Sequence, residues 1–221
     1  KRYSVEGTST TLTTKEKGTD VPDTMSFTMP NTVEFGNVKA IRVQDIMVFD
    51  IVASSNWQRP IYFAMTVSPD GQIGLRDYLQ LEGLAFRLIP KKGAAFWSNV
   101  NETRMRAQLF TDIDKPSKTP ALGYRWRGLQ DSTTYFDEDI RRLMTNYRQA
   151  FVLLSQYYVN TPSLSSKVVE PLDRMEQIVP RHVISMDYRT KIYVANLYAA
   201  GGRQDKFSEI CNEIIAELKP I

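Results

Sequence analysis

Two stretches decide how this chain folds: NWQRPIYFA at residues 56–64 and YLQLEGLAFRLIP at residues 78–90. Pro60 cannot continue a helix and biases Arg59 toward extended backbone, so we predict a strand of β-branched and aromatic residues over 61–67. A turn follows at SPDG, residues 68–71, and then a short helical turn over 75–81. Residues 84–90 return to a strand, antiparallel to the first. The pattern indicates a small antiparallel sheet.

The sequence changes character upstream of these strands. Residues 1–36 are polar and rich in threonine, so we expect a linker or irregular structure there, with one short strand over 25–29. From residue 43 onward, apolar residues occur at helical spacing but on most sides of the helix. This pattern predicts a helix that is covered on more than one face. We therefore assign residues 37–130 to an α+β part.

Downstream, the period of the apolar residues becomes helical. Asn101 is the predicted N-cap of a helix over 102–110, and Asp137 that of a long helix that reaches Tyr158. Three more helices are predicted: one over 164–179 that kinks or restarts at Pro171, one over 187–200 that stops at two glycines, and one over 207–218. Residues 131–221 thus form a four-helix part, in which small residues near Gly201 resemble a tetratricopeptide-type hairpin. The predicted fold is α+β, with a small antiparallel sheet and helices first and helical hairpins after it.

Composition restricts the possible partners. The 28 Lys and Arg residues against 25 Asp and Glu give a net charge of only +3, and they are dispersed, which argues against a nucleic-acid partner. The single cysteine, Cys211, rules out an internal disulfide framework, and we expect it to be a small buried apolar residue. No apolar run is long enough to span a bilayer. Because the sequence begins at Lys1 without a methionine, either a leader was removed or this is an excised piece. We expect the excised piece, since residues 1–36 resemble the tail of a linker.

One group of side chains is a candidate contact site: Trp57, Arg59, Tyr62, Tyr78 and Glu82. Tryptophan and tyrosine can stack on sugar faces, while arginine and glutamate can bind hydroxyl groups or pair with each other. The structural interpretation is that Arg59 and Glu82 form a partly buried ion pair that fixes the strands, with Trp57 as a lid on the core. The sequence favours the structural interpretation over ligand binding.

Other candidates for chemistry are weaker. His182 is the one histidine and follows Pro180-Arg181 in a predicted loop, with no acidic partner nearby in sequence. Paired carboxylates such as Asp77 and Glu82 could hydrolyse glycosides only at a separation that the sequence does not reveal. The alternation Tyr124-Arg125-Trp126-Arg127 could stack on bases or sugars, but is more typical of a loop packed on its own domain. We expect no catalytic residue, no metal site and no cofactor in this chain.

The ordered motifs carry a family resemblance. They are DIVA at 50–53, the two stretches quoted above, YFDE at 135–138, and Arg141, Arg142, Asn146, Tyr147 and Arg148. Over about residues 40 to 221 the chain resembles the C-terminal soluble region of a bacterial membrane-protein family, common in Bacteroidetes and catalogued as a domain of unknown function. That family is similar to the protein O-mannosyltransferase-like, C-type membrane glycosyltransferases.

The resemblance implies a multi-span N-terminal module of the same chain that holds the catalytic acids, which are absent from this sequence. It implies an extracytoplasmic, periplasmic domain that is tethered to the inner membrane through that module. The leading hypothesis is a noncatalytic accessory domain that contacts an acceptor protein, a glycan or a neighbouring subunit. A protein-interaction module unrelated to sugar transfer is the alternative, and a hydrolase that uses Asp77 and Glu82 is a third. The alternative predicts peptide binding across the face from Tyr147 to Tyr198.

Overall fold

The computed structural model describes residues 9–13, 24–28, 33–35, 38–55, 58–93, 99–116, 118–119 and 121–218. Contacts along the chain define two compact units, Lys1–Asn99 and Val100–Ile221. The first unit contains the strands and one helix, and the second is helical, so the fold is α+β as predicted. The expected boundaries after residues 36 and 130 stay predictions.

The first unit begins with two pairs of strands. Strands β1 (Ser9–Thr13) and β2 (Thr24–Thr28) pair antiparallel, as do β3 (Val33–Phe35) and β4 (Val38–Ala40). Only β2 was indicated by the sequence, because Met25 and Phe27 alternate with polar residues and are both buried. The expectation of irregular structure was wrong for β1 and β3. A threonine-rich strand such as β1 has high β-propensity but no apolar alternation to reveal it.

Helix α1 (Val43–Ser54) follows, with Phe49, Val52 and Asp45 on its buried side. The Asp45 carboxylate, 1% exposed, accepts two hydrogen bonds from the guanidinium of Arg42, from Nε at 2.9 Å and Nη2 at 3.0 Å. The ring of Phe49 lies 6.2 Å from that of Phe27. The prediction of a helix covered on several faces was wrong, because the stripe of Val43, Met47 and Ile51 is 56–74% exposed.

A three-stranded antiparallel sheet completes the first unit, in the order β5 (Tyr62–Ala64), β7 (Ala85–Leu88) and β6 (Leu79–Glu82). The predicted antiparallel pairing of the strand in residues 61–67 with the strand in residues 84–90 is confirmed, since β5 pairs with β7. Both strands are shorter than predicted, and residues 79–81 belong to β6, not to a helical turn, which covers only Arg76–Tyr78. The predicted turn at residues 68–71 overlaps the short 3-10 helix Pro69–Gln72, for which Ser68 is the N-cap residue.

The second unit contains five helices over its described residues: α2 (Glu102–Phe110), α3 (Glu138–Val159), α4 (Val169–Ile178), α5 (Tyr188–Ala200) and α6 (Gln204–Leu218). The predicted N-caps are confirmed, since the side chains of Asn101 and Asp137 accept backbone N–H groups of their first turns. A 3-10 helix, Pro162–Lys167, precedes α4, and Pro171 lies in the first turn of α4. The restart near Pro171 follows from its missing N–H, which costs least in a first turn.

The helices pack as two hairpins, α3 with α4 and α5 with α6. Ser155 donates to the carbonyl of Val168 before α4, whereas Arg148, two turns earlier in α3, reaches the carbonyl of Val179 after it, so the pair is antiparallel. Tyr198, at one end of the face to which the alternative hypothesis assigns peptide binding, is fully buried. Cys211 is half-buried rather than buried.

Arg148 holds the connection between the hairpins. Its side chain is 98% buried and donates to three carbonyls: those of Ser185 at 2.9 Å, Val179 at 3.1 Å and Ile184. Burial lowers the pKa of this guanidinium to about 10, which leaves it charged at neutral pH. These carbonyls lie at the end of α4 and before α5, where no helical N–H is available to them.

The turn between α5 and α6 allows close packing on α4. A Cβ atom on Gly201 would lie 2.5 Å from Cγ2 of Val169 and 3.2 Å from Cγ1 of Val168. Only a residue without a side chain fits between this turn and the start of α4. The predicted role of small residues near Gly201 in close helix approach is confirmed.

Replacing Arg148 tests the connection. We expect Arg148→Met to lower the free energy of unfolding by about 3 kcal/mol, because three buried carbonyls lose their donor. Arg142→Met, at a side chain that is 79% exposed in the same helix, should change it by less than about 0.5 kcal/mol. Urea unfolding followed by circular dichroism measures both, and equal losses would contradict the role of Arg148.

Replacing Gly201 tests the close approach of the turn. Gly201→Ala should destabilise the helical unit by about 1 to 3 kcal/mol, since Val169 or the turn must move. Asn196→Ala, at an exposed position of α5, is the control and should change stability by less than about 0.5 kcal/mol. A Gly201→Ala protein with unchanged urea midpoint would show that the turn has room to spare.

Candidate functional site

Strand register divides the three-stranded sheet into two faces. Phe63, Phe86 and Leu81 are opposite one another across β5, β7 and β6, and all three are buried. Because successive side chains alternate, the neighbouring positions point to the other face. That face carries the polar residues Tyr62, Gln80, Glu82 and Arg87. We call it the polar sheet face.

A cluster of three side chains lies on the polar sheet face. The hydroxyl of Tyr62 donates to Oε2 of Glu82 at 3.1 Å, and Nη1 of Arg87 lies 3.9 Å from Oε1 of the same carboxylate. The Glu82 side chain is only 7% exposed, whereas Tyr62 is 48% exposed. A buried carboxylate therefore fixes an exposed tyrosine ring at the edge strand β5.

The candidate residues of the sequence separate in the structure. Tyr62 and Glu82 are in contact, as described above. Arg59 is exposed, and Glu82 forms its ion pair with Arg87 instead. Tyr78 is 8% exposed and belongs to the core. Trp57 lies outside the described residues. Its predicted role as a lid on the core therefore stays a prediction.

Arg87 is the residue that sequence reasoning missed. A two-residue turn at Gly83 and Leu84 places Glu82 opposite Ala85, and Arg87 two residues along the same face. Diagonal neighbours across an antiparallel pair are within reach of long side chains. The alternation of residues 85–88 places Arg87 on the same side of the strand as Ala85. It predicts contact with Glu82 only once residues 79–82 are known to form the neighbouring strand.

The carboxylates proposed for glycoside hydrolysis have separate partners. Asp77, 54% exposed, pairs with Nζ of Lys92 at 3.1 Å, while Glu82 contacts Tyr62 and Arg87. Glycoside hydrolysis needs a carboxyl group that holds a proton beside the scissile bond and a second carboxylate across from it. The cluster is better suited to holding Tyr62 than to proton transfer.

The aromatic and basic alternation at residues 124–127 is packed on its own unit, as the structural interpretation predicts. The rings of Tyr124 and Trp126 lie 5.4 Å and 5.2 Å from that of Tyr147, in edge-to-face geometry. Trp126 also contacts Phe151. Arg125 and Arg127 point to solvent. The rings of Tyr124 and Trp126 therefore pack against other aromatic rings of the helical unit.

A charged cavity of about 450 Å³ lies among α4, α5 and α6. Arg181 at its base is 8% exposed and donates to Glu213 and Glu176 at 2.8 Å and 2.6 Å, and to Glu209. These hydrogen bonds, that to Glu213 foremost, raise the pKa of Arg181 above its usual value. His182 is on the rim and exposed. The cations of the cavity already have carboxylate partners, so the network fixes α6 to the α4–α5 connection.

Two further findings concern the described residues as a whole. Over this part of the chain every helix is too short or too polar to span a lipid bilayer. Within the same residues, no group of three His, Cys, Asp or Glu side chains is arranged to hold a metal ion.

Comparison with known proteins gives one relationship. Residues 8–107 match the family model of TMEM260-associated domain 2. The match covers a little under half of the chain and includes the polar sheet face. No curated protein and no solved structure matches the chain. The family description gives no reaction, so the glycosyltransferase relationship and the bacterial origin stay expectations.

Two substitutions separate the roles of Tyr62 and Arg59. Tyr62→Phe should lower the free energy of unfolding by about 1 to 2 kcal/mol, because a buried carboxylate loses a hydrogen bond. Arg59→Ala should change it by less than about 0.5 kcal/mol. Urea unfolding monitors both. A larger loss of unfolding free energy for Arg59→Ala would instead support the predicted ion pair between Arg59 and Glu82.

Proposed function

We propose that this chain is a noncatalytic extracytoplasmic accessory domain of a multi-span, glycosyltransferase-like membrane protein. It acts by contact with an acceptor protein, a glycan or a neighbouring subunit. The match of residues 8–107 to a domain described as TMEM260-associated supports a membrane-protein context. In this proposal an N-terminal membrane module of the same chain tethers the domain to the periplasmic side of the inner membrane and performs the transfer.

The observation that carries the proposal is the exposed ring of Tyr62, held by a buried carboxylate. A tyrosine that is 48% exposed yet fixed through its hydroxyl offers a preoriented apolar ring. Sugars bind to such rings by stacking, and preorientation lowers the entropy lost on binding. Arg87, 29% exposed beside it, supplies N–H donors for sugar hydroxyls. We therefore propose that the polar sheet face contacts the glycan portion of an acceptor.

A noncatalytic role suits the same cluster. Both oxygens of Glu82 face partners, Tyr62 on one side and Arg87 on the other. A carboxylate held in this way is a structural anchor for the ring. Contact without turnover is therefore the function that this geometry supports best.

Glycan titration tests the proposal. A mannosylated peptide, the same peptide without the sugar, and methyl mannoside are titrated into the full chain and followed by calorimetry. We expect binding that requires the sugar and weakens about fivefold or more in Tyr62→Ala, through the loss of ring stacking. Tyr135→Ala removes a ring that is 83% exposed in the helical unit and should leave the affinity within twofold.

Three outcomes would contradict the proposal. Equal binding of the sugar-free peptide would favour the protein-interaction alternative. Equal weakening by Tyr62→Ala and Tyr135→Ala would remove the polar sheet face from the contact. Turnover of an aryl glycoside that is lost in Glu82→Gln would identify a hydrolase.

A further inference from the structure

Helix α6 contributes few side chains to the core but several ion pairs. Of its 15 residues only Ile210 and Ile214 are buried. The same helix carries carboxylates at intervals of four residues, Glu209, Glu213 and Glu217, which share one face of the helix. All three carboxylates contact cations that lie outside α6. Two buried isoleucines are few for a helix of this length, so these ion pairs matter for its attachment.

The cations that receive these carboxylates are buried. The side chains of Arg181, which follows α4, and Lys191, on α5, are only 8% and 5% exposed. Nε of Arg181 lies 2.9 Å from Oε2 of Glu213, and Nη2 also contacts Glu209. Nζ of Lys191 contacts Glu217 and lies 3.9 Å from Oε2 of Glu213. A buried cation is tolerated only while it is paired, because an uncompensated charge in the interior is costly.

Most of this compensation comes from α6. Over the described residues, both acidic partners of Lys191 belong to α6, and so do two of the three acidic partners of Arg181. The third partner of Arg181 is Glu176 of α4, whose Oε2 lies 2.6 Å from Nη1. The other charged or titratable side chains that line the cavity are Lys206 of α6 and His182 on the rim. Neutralising the α6 carboxylates would therefore leave two buried cations without sufficient counter-charge.

The acid response of these carboxyl groups has a definite sign. The hydrogen bonds that Glu209 accepts, first from Lys206 and then from Arg181, lower the pKa of its carboxyl group. A lowered pKa stabilises the folded state above the ordinary glutamate value of about 4.3, and this stabilisation is lost as the pH falls through the lower value. Burial raises the pKa of Glu176, which therefore takes up its proton before Glu209 and by doing so favours the folded state. From that point every ionised carboxylate partner of Arg181 is on α6.

The connection beneath α6 does not share this acid sensitivity. Over the described residues, the hydrogen bonds of Arg148 all go to backbone carbonyls, which do not titrate. The helices that it joins also share a core that includes the fully buried Phe151, Leu172 and Tyr198. Acid should therefore act on the attachment of α6 before it acts on the packing of α3, α4 and α5.

We propose that α6 is an acid-releasable helix: as the pH falls, loss of charge on Glu209, Glu213 and Glu217 detaches it from the α4–α5 connection, while α3, α4 and α5 remain folded. Detachment exposes Arg181 and Lys191 to water, where a hydrated cation no longer needs a partner. The surface beneath α6 thereby becomes cationic. This inference is independent of the proposed function, because it concerns only the helical unit.

Hydrogen exchange followed by mass spectrometry tests the proposal in the full chain. Exchange is measured at pH 7 and pH 3.5 at one ionic strength and corrected for the intrinsic rate at each pH. It gives protection factors for residues 204–218 of α6 and residues 138–159 of α3. At the lower pH we expect the protection of α6 to fall at least about tenfold, while that of α3 changes by less than about twofold.

Neutralising substitutions should reproduce the acid effect at pH 7. Glu213→Gln together with Glu217→Gln removes both acidic partners of Lys191 and should lower the protection of α6 at least about tenfold. Adding Lys191→Met removes the uncompensated cation and should recover at least about threefold of that loss. The matched control, Glu138→Gln with Asp139→Asn, removes two exposed carboxylates from α3 and should leave the protection of α6 within about twofold.

Four results would overturn the proposal. The first is a protection of α6 that is unchanged at pH 3.5 or falls no further than that of α3. The second is unchanged protection of α6 at pH 7 when Glu213 and Glu217 are both replaced. The third is an equal loss in the control variant, which would point to net charge rather than to these ion pairs. The fourth is a failure of Lys191→Met to restore protection, since the buried cation would then not be the cause.

Discussion

The helical unit depends on one buried cation. The guanidinium of Arg148 projects from α3 toward the connection between α4 and α5. It donates hydrogen bonds to the carbonyls of Val179, Ile184 and Ser185. A chain that changes direction between helices leaves such carbonyls without N–H partners. One planar group with five donors in a fixed fork can serve several of them at once, whereas a hydroxyl has a single donor. The connection, and with it the position of α5 on α3, follows from this arrangement.

A second arginine, Arg181, fastens α6 to the same connection. Arg181 stands just beyond α4 and pairs with glutamates of α4 and α6, so α6 is held against the same connection that Arg148 fixes from within. Charges on α6 are thereby concentrated on the side of the cavity. The remaining surface of α6 carries no charged residue.

The strand-containing unit uses the same principle at a smaller scale. Its sheet buries Phe63, Leu81 and Phe86 on one face, while the other face keeps one carboxylate out of solvent between a tyrosine and an arginine. Burial of a charge is costly unless it is paired, and the pairing orients an exposed ring. The two units thus expose different surfaces: the polar sheet face with one fixed aromatic ring in the first unit, and an uncharged side of α6 in the second.

The helices α2, α3 and α5 could be predicted closely because their signals are local. Asn101, Asp137 and Asp187 cap helices within one turn, and the apolar period of 3.6 extends over several turns after them. Strand β6 could not be predicted, because Leu79 and Leu81 are also compatible with a helical turn. Only the pairing with β7 decides between a strand and a helical turn. Strand β1 lacked even an ambiguous signal, since threonine alternating with threonine has no period.

The sequence by itself determined where most helices begin and end, the antiparallel pairing of β5 with β7, and the need for a small residue at Gly201, because caps, periodicity and turn chemistry act over a few neighbouring residues. Only the tertiary structure decided that Glu82 pairs with Arg87 and that Arg59 lies in solvent. It also decided that the apolar stripe of α1 is open, and that α6 buries Ile210 and Ile214 while Ile215 remains exposed. Partners and exposure depend on which distant segment lies against a surface, and no local pattern of residue types specifies that segment.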